Sequence, residues 1–140
     1  MSAVYTAVAT ATGEGRNGHT RTSDGSIDLD LKVPTEMGGP GGGANPEQLF
    51  AAGYAACFHS ALKGVAKKQG VTPTDSAVTA EVGIGPNDAG GFALEVTLRV
   101  ELGGIEQSAA EALVEAAHQV CPYSNATRGN VPTTLDTTVG

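Results

Sequence analysis

The stretch NPEQLFAAGYAACFHSALKGVAKKQ, Asn45 to Gln69, predicts a long helix. Asn45 is a favourable N-cap residue, Pro46 suits the first helical position, and Gln48 three residues after the cap gives a capping-box-like pattern. Gly70 directly follows and is a favourable residue just past a helix end. We therefore expect one helix that extends from Pro46 to Gln69.

This helix has no polar face along much of its length. From Leu49 to Leu62 its side chains are apolar or small on all sides, which is unfavourable for a helix on a solvated surface. The same run contains Gly53, His59 and Ser60 and is rich in alanine rather than leucine, so a membrane span is not expected. We expect the helix to be central and covered. Because a small sheet cannot cover it alone, we expect a homodimer in which sheets from two chains enclose the central helices.

Alternation of apolar and polar residues predicts strands on both sides of this helix. Before the helix, Tyr5–Ala11 and Ser26–Val33 are expected to pair as a hairpin. After it, Phe92–Leu102 is expected to pair with Ala77–Gly85 through the turn PNDAGG. A last strand is expected over Val131–Val139. With two helices among these strands, the order predicts one α+β domain over residues 1–140, with a mostly antiparallel sheet.

A second helix is expected between the last two predicted strands. Ser108 with Glu111 gives an S-x-x-E cap, and Pro122 should end the helix. Apolar residues at helical spacing predict its inner face: Leu113, Val114, Ala117 and Val120.

Charge and composition exclude several classes of partner. The chain has 140 residues, a formal net charge of -7 and only eight Lys and Arg residues, whereas nucleic-acid binding relies on clustered cations. The N-terminal residues lack the cationic start and apolar run of a secretory signal, so a cytoplasmic protein is expected. In a reducing compartment two cysteines seldom form a permanent disulfide, which leaves packing, metal binding or redox chemistry.

Cys57 lies in the middle of the predicted helix among small apolar residues. It is eleven residues past Pro46, about 16 Å from the helix N-terminus, so the helix dipole does not activate it. Burial favours the protonated thiol, so by default Cys57 is an inert packing residue. A reactive Cys57 needs a cation from elsewhere in the chain, and arginine suits this role because it stays charged and presents a planar fork. The sequence leaves four candidates: Arg16, Arg21, Arg99 and Arg128.

Cys121 lies at a helix end next to Pro122, where the chain can move, as a resolving thiol must. It is 64 positions from Cys57, so any meeting of the two must be tertiary. A zinc site is a further alternative, since His118 and Cys121 have a possible ligand spacing. The side chain of His59 points about 200° away from that of Cys57 around the helix, so the two could hardly bind one ion. Only Cys57, His118 and Cys121 then remain as ligands, and a fourth is lacking. His59 and His118 are then packing or surface residues.

Four segments carry a resemblance to a known family: NPEQLFAAGYAACF, VCPYSNATRGN, ATGEGRNG and MGGPGGG. In these segments, and over nearly the whole chain, the sequence resembles the organic hydroperoxide resistance (Ohr) proteins of the Ohr/OsmC family. The resemblance implies a thiol-dependent peroxidase that reduces organic hydroperoxides to alcohols and is recycled by a dithiol such as a lipoylated protein. It also implies an intertwined homodimer, and the chemistry requires no metal, haem or flavin. The apolar surroundings of Cys57 favour alkyl or fatty-acid hydroperoxides.

The resemblance also implies roles for individual residues. Cys57 is similar to the peroxidatic cysteine, which becomes a sulfenic acid, and Cys121 to the resolving cysteine, which forms an intramolecular disulfide with it. Arg16 corresponds to the activating cation and Glu47 to the carboxylate that orients it. Because Glu47 lies about 15 Å from Cys57 along a regular helix, an arginine that contacts both needs a bent helix or the partner's Glu47. A non-catalytic redox sensor with the same fold is the alternative function.

Overall fold

Six strands and three α-helices make up the fold in the computed structural model, which describes residues Met1–Gly140. The predicted α+β class is confirmed. In chain order, the elements are β1 Ala9–Thr12, β2 His19–Thr22, β3 Asp28–Asp30, α1 Pro46–Gln69, β4 Ser76–Pro86, β5 Phe92–Leu102, α2 Gln107–Val120, α3 Pro122–Thr127 and β6 Thr133–Val139. The chain forms two compact units, Met1–Leu49 and Phe50–Gly140. The single-domain expectation stays a prediction.

The first unit contains a three-stranded antiparallel sheet with the order β1-β2-β3. The hairpin predicted between Tyr5–Ala11 and Ser26–Val33 is therefore wrong, because β2 lies between the two strands. The sequence of β2 is HTRT, and without an apolar residue it has no hydrophobic alternation that could reveal a strand. A single 3-10 turn over Gly15–Asn17 connects β1 to β2.

Helix α1 has the bounds that its capping residues predict. The Asn45 side chain accepts a hydrogen bond from the Gln48 backbone N–H at 2.8 Å, and the Gln48 side chain accepts one from the Asn45 backbone N–H at 3.1 Å. These two bonds form the predicted capping box. At the other end Gly70 has a φ of 71°, the left-handed conformation that ends many helices.

The burial of α1 within one chain is partial, and its coverage by a second chain stays a prediction. In a single chain, one stripe with a spacing of four residues is buried: Tyr54, Phe58, Leu62 and Ala66. Ala52, Ala56 and Ser60 on another face are exposed. Apolar and small residues around the whole helix allow burial on any side. Within one chain, only the stripe from Tyr54 to Ala66 is buried. None of the three α-helices combines the length with the hydropathy that a membrane span requires.

The second unit contains a sheet with the order β4-β5-β6. Strands β4 and β5 form the predicted antiparallel hairpin, whereas β6 pairs with β5 in parallel. The parallel pairing follows from the connection, because two helices separate β5 from β6 and return the chain to the same end of the sheet. On β5 the buried residues are Val96, Leu98, Val100 and Leu102. Phe92, the first residue of β5, has the same alternation but is 71% exposed.

Helix α2 begins one residue before its predicted cap. Ser108 is the second residue of the helix and is not its N-cap. The N-cap residue is Glu106, whose side chain makes no capping hydrogen bond. The predicted inner face holds for three of its four members, together with Ala110, whereas Val120 is 56% exposed. Val120 departs because the chain leaves the helix direction at the next residue. The core of this unit packs α1 and α2 against β5.

Removal of one buried hydroxyl is expected to destabilise the second unit. The Tyr54 hydroxyl is fully buried and lies 2.8 Å from Ser124 Oγ and 3.1 Å from Thr127 Oγ1. Tyr54→Phe leaves the Ser124 hydroxyl without a partner and is expected to cost about 1–3 kcal/mol of unfolding free energy. Urea unfolding at fixed protein concentration measures this loss. The control Tyr123→Phe removes a hydroxyl from a ring that is 39% exposed and should change stability by less than about 0.5 kcal/mol.

Candidate active site

The structure brings the two cysteines of the chain together. Cys57 on α1 is half-buried and Cys121 is fully buried, and neither is in a disulfide. The Cys121 thiol donates a hydrogen bond to the Cys57 sulfur, with 3.6 Å between the two Sγ atoms. A disulfide bond is about 2.0 Å long, so the sulfurs are in contact without being bonded. A displacement of about 1.5 Å between them is enough for bond formation.

Pro122 determines where Cys121 lies. Proline disfavours the helical conformation for the residue before it, and Cys121 is accordingly extended, with φ -64° and ψ 124°. Helix α2 therefore ends at Val120, and Pro122 occupies the first position of α3, where its missing N–H costs no hydrogen bond. Pro122 was predicted to end a helix, which is confirmed, but the sequence did not predict α3. Cys121 is thus the corner residue between two helices, and its position puts its thiol against α1.

Contacts between α3 and α1 hold this corner in place. The buried hydroxyls of Tyr54, Ser124 and Thr127 link the two helices. The Tyr123 ring packs against Tyr54 with 5.6 Å between ring centroids. A Cβ atom on Gly53 would lie 2.8 Å from the Tyr123 hydroxyl oxygen, so glycine at this position allows the close approach. Both cysteines consequently belong to one packed region.

Burial makes Cys57 a weak acid within its own unit. Desolvation raises the pKa of Cys57, and the hydrogen bond from Cys121 raises it further, while the backbone N–H of Tyr123 opposes both by lowering it. Within Phe50–Gly140 no cationic side chain lowers it. Cys57 in this environment is therefore a protonated thiol at neutral pH, and a nucleophilic thiolate requires an added positive charge.

In the first unit, Arg16 and Glu47 form a bidentate ion pair. Arg16 Nη1 donates to Glu47 Oε2 at 2.8 Å, and Nη2 donates to Oε1 at 2.7 Å. The Glu47 side chain is 13% exposed and that of Arg16 is 38% exposed. Hydrogen bonding to Arg16 lowers the pKa of Glu47, so the pair is fully charged at neutral pH. Two of the five guanidinium N–H donors are used, which leaves the others free for a second anion.

The local structure explains how these two residues meet. Arg16 is the central residue of the 3-10 turn, and Glu47 is the second residue of α1. The backbone of Leu31 bridges to Ala44 just before α1, which holds the start of the helix against the sheet of this unit. The carboxylate at the helix N-terminus also favours the helix dipole. The start of α1 thus fixes the position of the Glu47 backbone, and the Glu47 carboxylate orients the Arg16 side chain.

The other candidate cations have different partners. Arg99 bonds Glu81 and Asp136 on the exposed face of the second sheet. Arg128 donates to the carbonyl of His118, as expected for a residue that follows a helix. Arg21 forms a long ion pair in the first sheet. Of the four arginines, Arg16 alone lies in a bidentate pair with the predicted carboxylate.

His59 and His118, the two histidines near the cysteines in the sequence, do not lie in a cluster of metal ligands. His59 lies 2.8 Å from the Ser76 hydroxyl through its Nε2 atom. His118 is half-buried and its Nδ1 atom has no hydrogen-bond partner. No three His, Cys, Asp or Glu side chains are grouped closely enough to hold a metal ion. The zinc alternative therefore has no ligand cluster in this chain.

An open groove borders Cys57. Its volume is about 500 Å³, and it runs along the face of α1 from Cys57 to Lys68, with Val120 and Pro122 on the opposite side. Val120, whose side chain is exposed at the end of α2, is one of the residues that line this groove. No local sequence pattern predicts the groove, because its two sides come from segments more than fifty positions apart. The Tyr123 N–H beside Cys57 was missed for the same reason.

Comparison with known proteins identifies related sequences. Residues 39–136 match the family described as OsmC-like protein. The chain is 52% identical to the organic hydroperoxide resistance protein of Xanthomonas axonopodis pv. citri, with 94% of this chain and 93% of that protein covered. It is 47% identical to the organic hydroperoxide resistance protein OhrB of Bacillus subtilis, with 96% of this chain and 98% of that protein covered.

A solved structure agrees with these sequence relationships. The crystal structure of an organic hydroperoxide resistance protein from Legionella pneumophila is similar with a TM-score of 0.95 and 53% sequence identity. The similarity covers 99% of this chain and all of that one. Sequence and fold therefore indicate the same group of proteins.

Proposed function

We propose that this chain, which belongs to the OsmC-like protein family, is a thiol-dependent peroxidase. It would reduce organic hydroperoxides to alcohols. Its relatives named for organic hydroperoxide resistance support a role in peroxide detoxification. The observation that carries the chemical proposal is the 3.6 Å contact between Cys57 and Cys121, which lie 64 positions apart in the chain. Two sulfurs in contact can form the disulfide that a two-cysteine peroxidase requires.

In the first step of the proposed cycle, the Cys57 thiolate attacks the terminal oxygen of the hydroperoxide. A sulfur–oxygen bond forms and the oxygen–oxygen bond breaks. The oxygen attached to carbon leaves with the bonding electron pair and takes up a proton, giving the alcohol. Cys57 is oxidised by two electrons to a sulfenic acid, and the substrate is reduced by the same two electrons.

In the second step, the Cys121 sulfur attacks the sulfenic sulfur of Cys57. A disulfide bond forms, the sulfur–oxygen bond breaks, and the hydroxyl leaves as water after protonation. An external dithiol, such as dihydrolipoamide or a lipoylated protein, then exchanges with this disulfide twice. It becomes a disulfide itself and restores both thiols. Formation of the disulfide protects Cys57 from irreversible oxidation to the sulfinic acid.

The proposed source of the missing positive charge is Arg16, held by Glu47. A guanidinium near the sulfur favours the thiolate and can also bind the peroxide oxygen through its free N–H donors. Because Glu47 and Cys57 lie ten positions apart on one helix, about 15 Å along its axis, we place the Arg16–Glu47 pair of one chain beside Cys57 of the other. The homodimer is thus part of the proposal. It is supported by the exposed small side chains on α1, among them Ala52 and Ala56, which a second chain would cover.

Multiple turnover tests the proposed function. The wild-type protein with excess dihydrolipoamide should consume many equivalents of cumene hydroperoxide for each Cys57. A non-catalytic redox sensor needs only stoichiometric oxidation, so consumption that stops at one equivalent per chain, even with the dithiol present, would contradict the enzyme assignment. The same result would favour the sensor.

Cys121→Ser is expected to separate the two steps of the cycle. In this variant Cys57 still reduces one equivalent of hydroperoxide, because the first step needs no second thiol. Turnover with dihydrolipoamide should fall by at least about tenfold, and a sulfenic acid should accumulate and react with dimedone. Mass spectrometry of the labelled protein measures it. Wild-type turnover in Cys121→Ser would show that Cys121 does not resolve the sulfenic acid.

A further inference from the structure

The turn that carries Arg16 is anchored to its sheet through the residues that follow the arginine. The Asn17 side chain accepts a hydrogen bond from the Val33 backbone N–H at 2.9 Å. The carbonyl of Gly18 accepts one from the Leu31 backbone N–H at 2.8 Å. Leu31 itself is buried, so this part of the sheet is a firm support. The position of the Arg16 backbone therefore depends on how β2 begins.

His19, the first residue of β2, provides a third anchor through its side chain. Its Nδ1 atom lies 2.8 Å from Asp30 Oδ1, and its Nε2 atom lies 2.5 Å from Asp28 Oδ1 on the adjacent strand β3. Ionised carboxylates only accept hydrogen bonds, so both ring nitrogens must donate, and only the protonated imidazolium has two N–H donors. A neutral ring keeps one of the two bonds. The bridge to β3 is therefore complete only while His19 carries its positive charge.

The charged groups that face His19 favour its protonated form. Hydrogen bonds to Asp30 and Asp28 raise the pKa of His19 above its ordinary value. Arg21, two residues further along β2, shares Asp28 through a long ion pair at 3.5 Å. Lys32, just after β3, forms no ion pair with either aspartate, and β1 on the other side of β2 has no titratable residue. The two carboxylates thus dominate the electrostatics of the ring.

The link from His19 to Arg16 is short and closely packed. Only two residues separate them, and the second is Gly18, whose N–H bonds the Gly15 carbonyl at 2.9 Å and closes the 3-10 turn. A Cβ atom on Gly18 would lie 2.1 Å from the Thr12 carbonyl oxygen, so β1 and the start of β2 are in close contact here. A shift of β2 at His19 therefore moves the turn and the base of the Arg16 side chain.

We propose that His19 is a positioning residue for Arg16, and that it holds the turn in place while its protonated ring bridges Asp28 and Asp30. This inference rests on the proposed role of Arg16 in activating Cys57. The guanidinium has a defined place only if both of its supports are fixed, the carboxylate that pairs with its tip and the start of β2 at its base. When the bridge loses a bond, the base becomes mobile, and the guanidinium spends less time beside the thiolate.

The pH dependence of this bridge has a definite direction. The pKa of His19 is raised in the folded chain, whereas in the unfolded chain it has the ordinary value of about 6.5. The bridge therefore stabilises the start of β2 fully below the unfolded pKa, and the stabilisation is lost as the pH rises through the folded pKa of His19. Ionisation of Cys57 has the opposite direction, because more thiolate forms as the pH rises.

The folded pKa of His19 is measured first. Proton NMR follows the ring signals of the full-length chain, and His19→Gln identifies the His19 signal among those of three histidines by its loss. The wild-type pKa should exceed the ordinary value of about 6.5, and Asp30→Asn should lower it, because it removes one of the two carboxylates. A wild-type pKa at or below the ordinary value would overturn the inference.

The second measurement is the effect of His19→Gln on the rate of Cys57 oxidation. Gln is a suitable substitute because its side chain is uncharged at every pH and has one donor group, as a neutral ring has. Stopped-flow oxidation by cumene hydroperoxide at low salt gives the ratio of the wild-type to the variant rate constant at each pH. This ratio should be about two to five below the His19 pKa, the size expected for exposed ion pairs, and should fall to about one above it.

Hydrogen exchange at the Leu31 amide provides a readout that does not involve Cys57. This amide donates the bond to the Gly18 carbonyl, so its protection reports how firmly the turn is attached to the sheet. At each pH the intrinsic exchange rate is the same for the wild type and His19→Gln and cancels from their ratio. The protection ratio should also be about two to five below the His19 pKa and about one above it.

Arg21→Gln is the matched control. It removes a cation from the same strand, one that shares the carboxylate of Asp28, but leaves both His19 contacts in place. Its rate and protection ratios relative to the wild type should stay close to one over the whole pH range. The control thus separates the His19 bridge from a general change of charge on this sheet.

Three results would overturn the inference: ratios that do not change with pH, an inflection that follows the pKa of Cys57 instead of that of His19, or the same inflection with Arg21→Gln. Failure of the proposed function is distinguishable from these, because Arg16→Gln would then leave Cys57 oxidation unchanged while the Leu31 protection ratio kept its inflection. That outcome would overturn the catalytic part of the inference together with the function.

Discussion

Cys57→Ser is expected to lower multiple turnover of cumene hydroperoxide by about a thousandfold or more, since a hydroxyl at this position cannot replace the thiolate as nucleophile. The substitution exchanges a sulfur for a smaller oxygen in a half-buried site, and the fold should persist. Peroxide consumption with excess dihydrolipoamide measures the loss, and circular dichroism verifies the fold. Retention of full turnover in this variant would refute the peroxidase mechanism.

The comparison of the two serine variants is more informative than either alone. In the proposed cycle Cys57→Ser prevents the first step, so neither a sulfenic acid nor a disulfide forms. Cys121→Ser prevents only the second step and retains one equivalent of peroxide reduction. If both variants lost the stoichiometric reaction equally, the assignment of distinct roles to the two thiols would be wrong.

Arg16→Gln is expected to lower kcat/KM for the hydroperoxide by about a hundredfold, because it removes the charge that favours the thiolate and the developing negative oxygen. The apparent pKa of the rate profile should rise, since without the cation the thiol ionises only at higher pH. Stopped-flow oxidation of Cys57 at several pH values measures both effects. A rate profile that keeps its apparent pKa would mean that another group activates Cys57.

Mixed dimers determine which chain supplies the arginine. When Cys57→Ser and Arg16→Gln chains carry different affinity tags and are coexpressed, the heterodimer can be purified. If Arg16 acts on the partner's Cys57, one of its two sites contains both wild-type residues, and about half of the wild-type activity should return. If both residues act within one chain, neither site is intact and no activity should return.

The matched control places both substitutions on one chain and pairs it with a wild-type chain. Action between chains then leaves every site with one defect, so this heterodimer should be inactive. Action within a chain would leave one intact site and half of the activity. The two heterodimers therefore give opposite results, and the outcome does not depend on the absolute rate. A protein that is monomeric in solution would contradict the proposed arrangement before any mixing.

The long helix was predictable because its signals are local. Asn45, Pro46 and Gly70 act within one turn of the helix ends, and the structure has the predicted bounds. Strand β2 was missed because its residues are polar, and the parallel direction of β6 depends on the path of two preceding helices. Local patterns thus predicted the elements better than their pairing.

The site was less accessible to sequence reasoning from physical principles. A separation of 64 positions between Cys57 and Cys121 carries no information on their distance, and the spacing of Arg16 and Glu47 is equally uninformative. Resemblance to a known family singled out all four residues, and the structure shows the two contacts at 3.6 Å and at 2.7–2.8 Å. The roles assigned to these residues stay predictions. Neither the pattern nor the resemblance indicated the groove towards Lys68, which depends on how α2 ends beside α1.

The unequal burial of the two sulfurs has a consequence for the regeneration half of the cycle. Cys121 is fully enclosed, whereas Cys57 is half-buried beside the open groove. In the proposed cycle we therefore expect the reductant to approach the disulfide from the Cys57 side, so that the mixed disulfide forms on Cys57 and Cys121 departs as the leaving group. If the proposed disulfide forms, the enclosure of one sulfur is expected to impose a direction on thiol exchange that two equally exposed cysteines would lack.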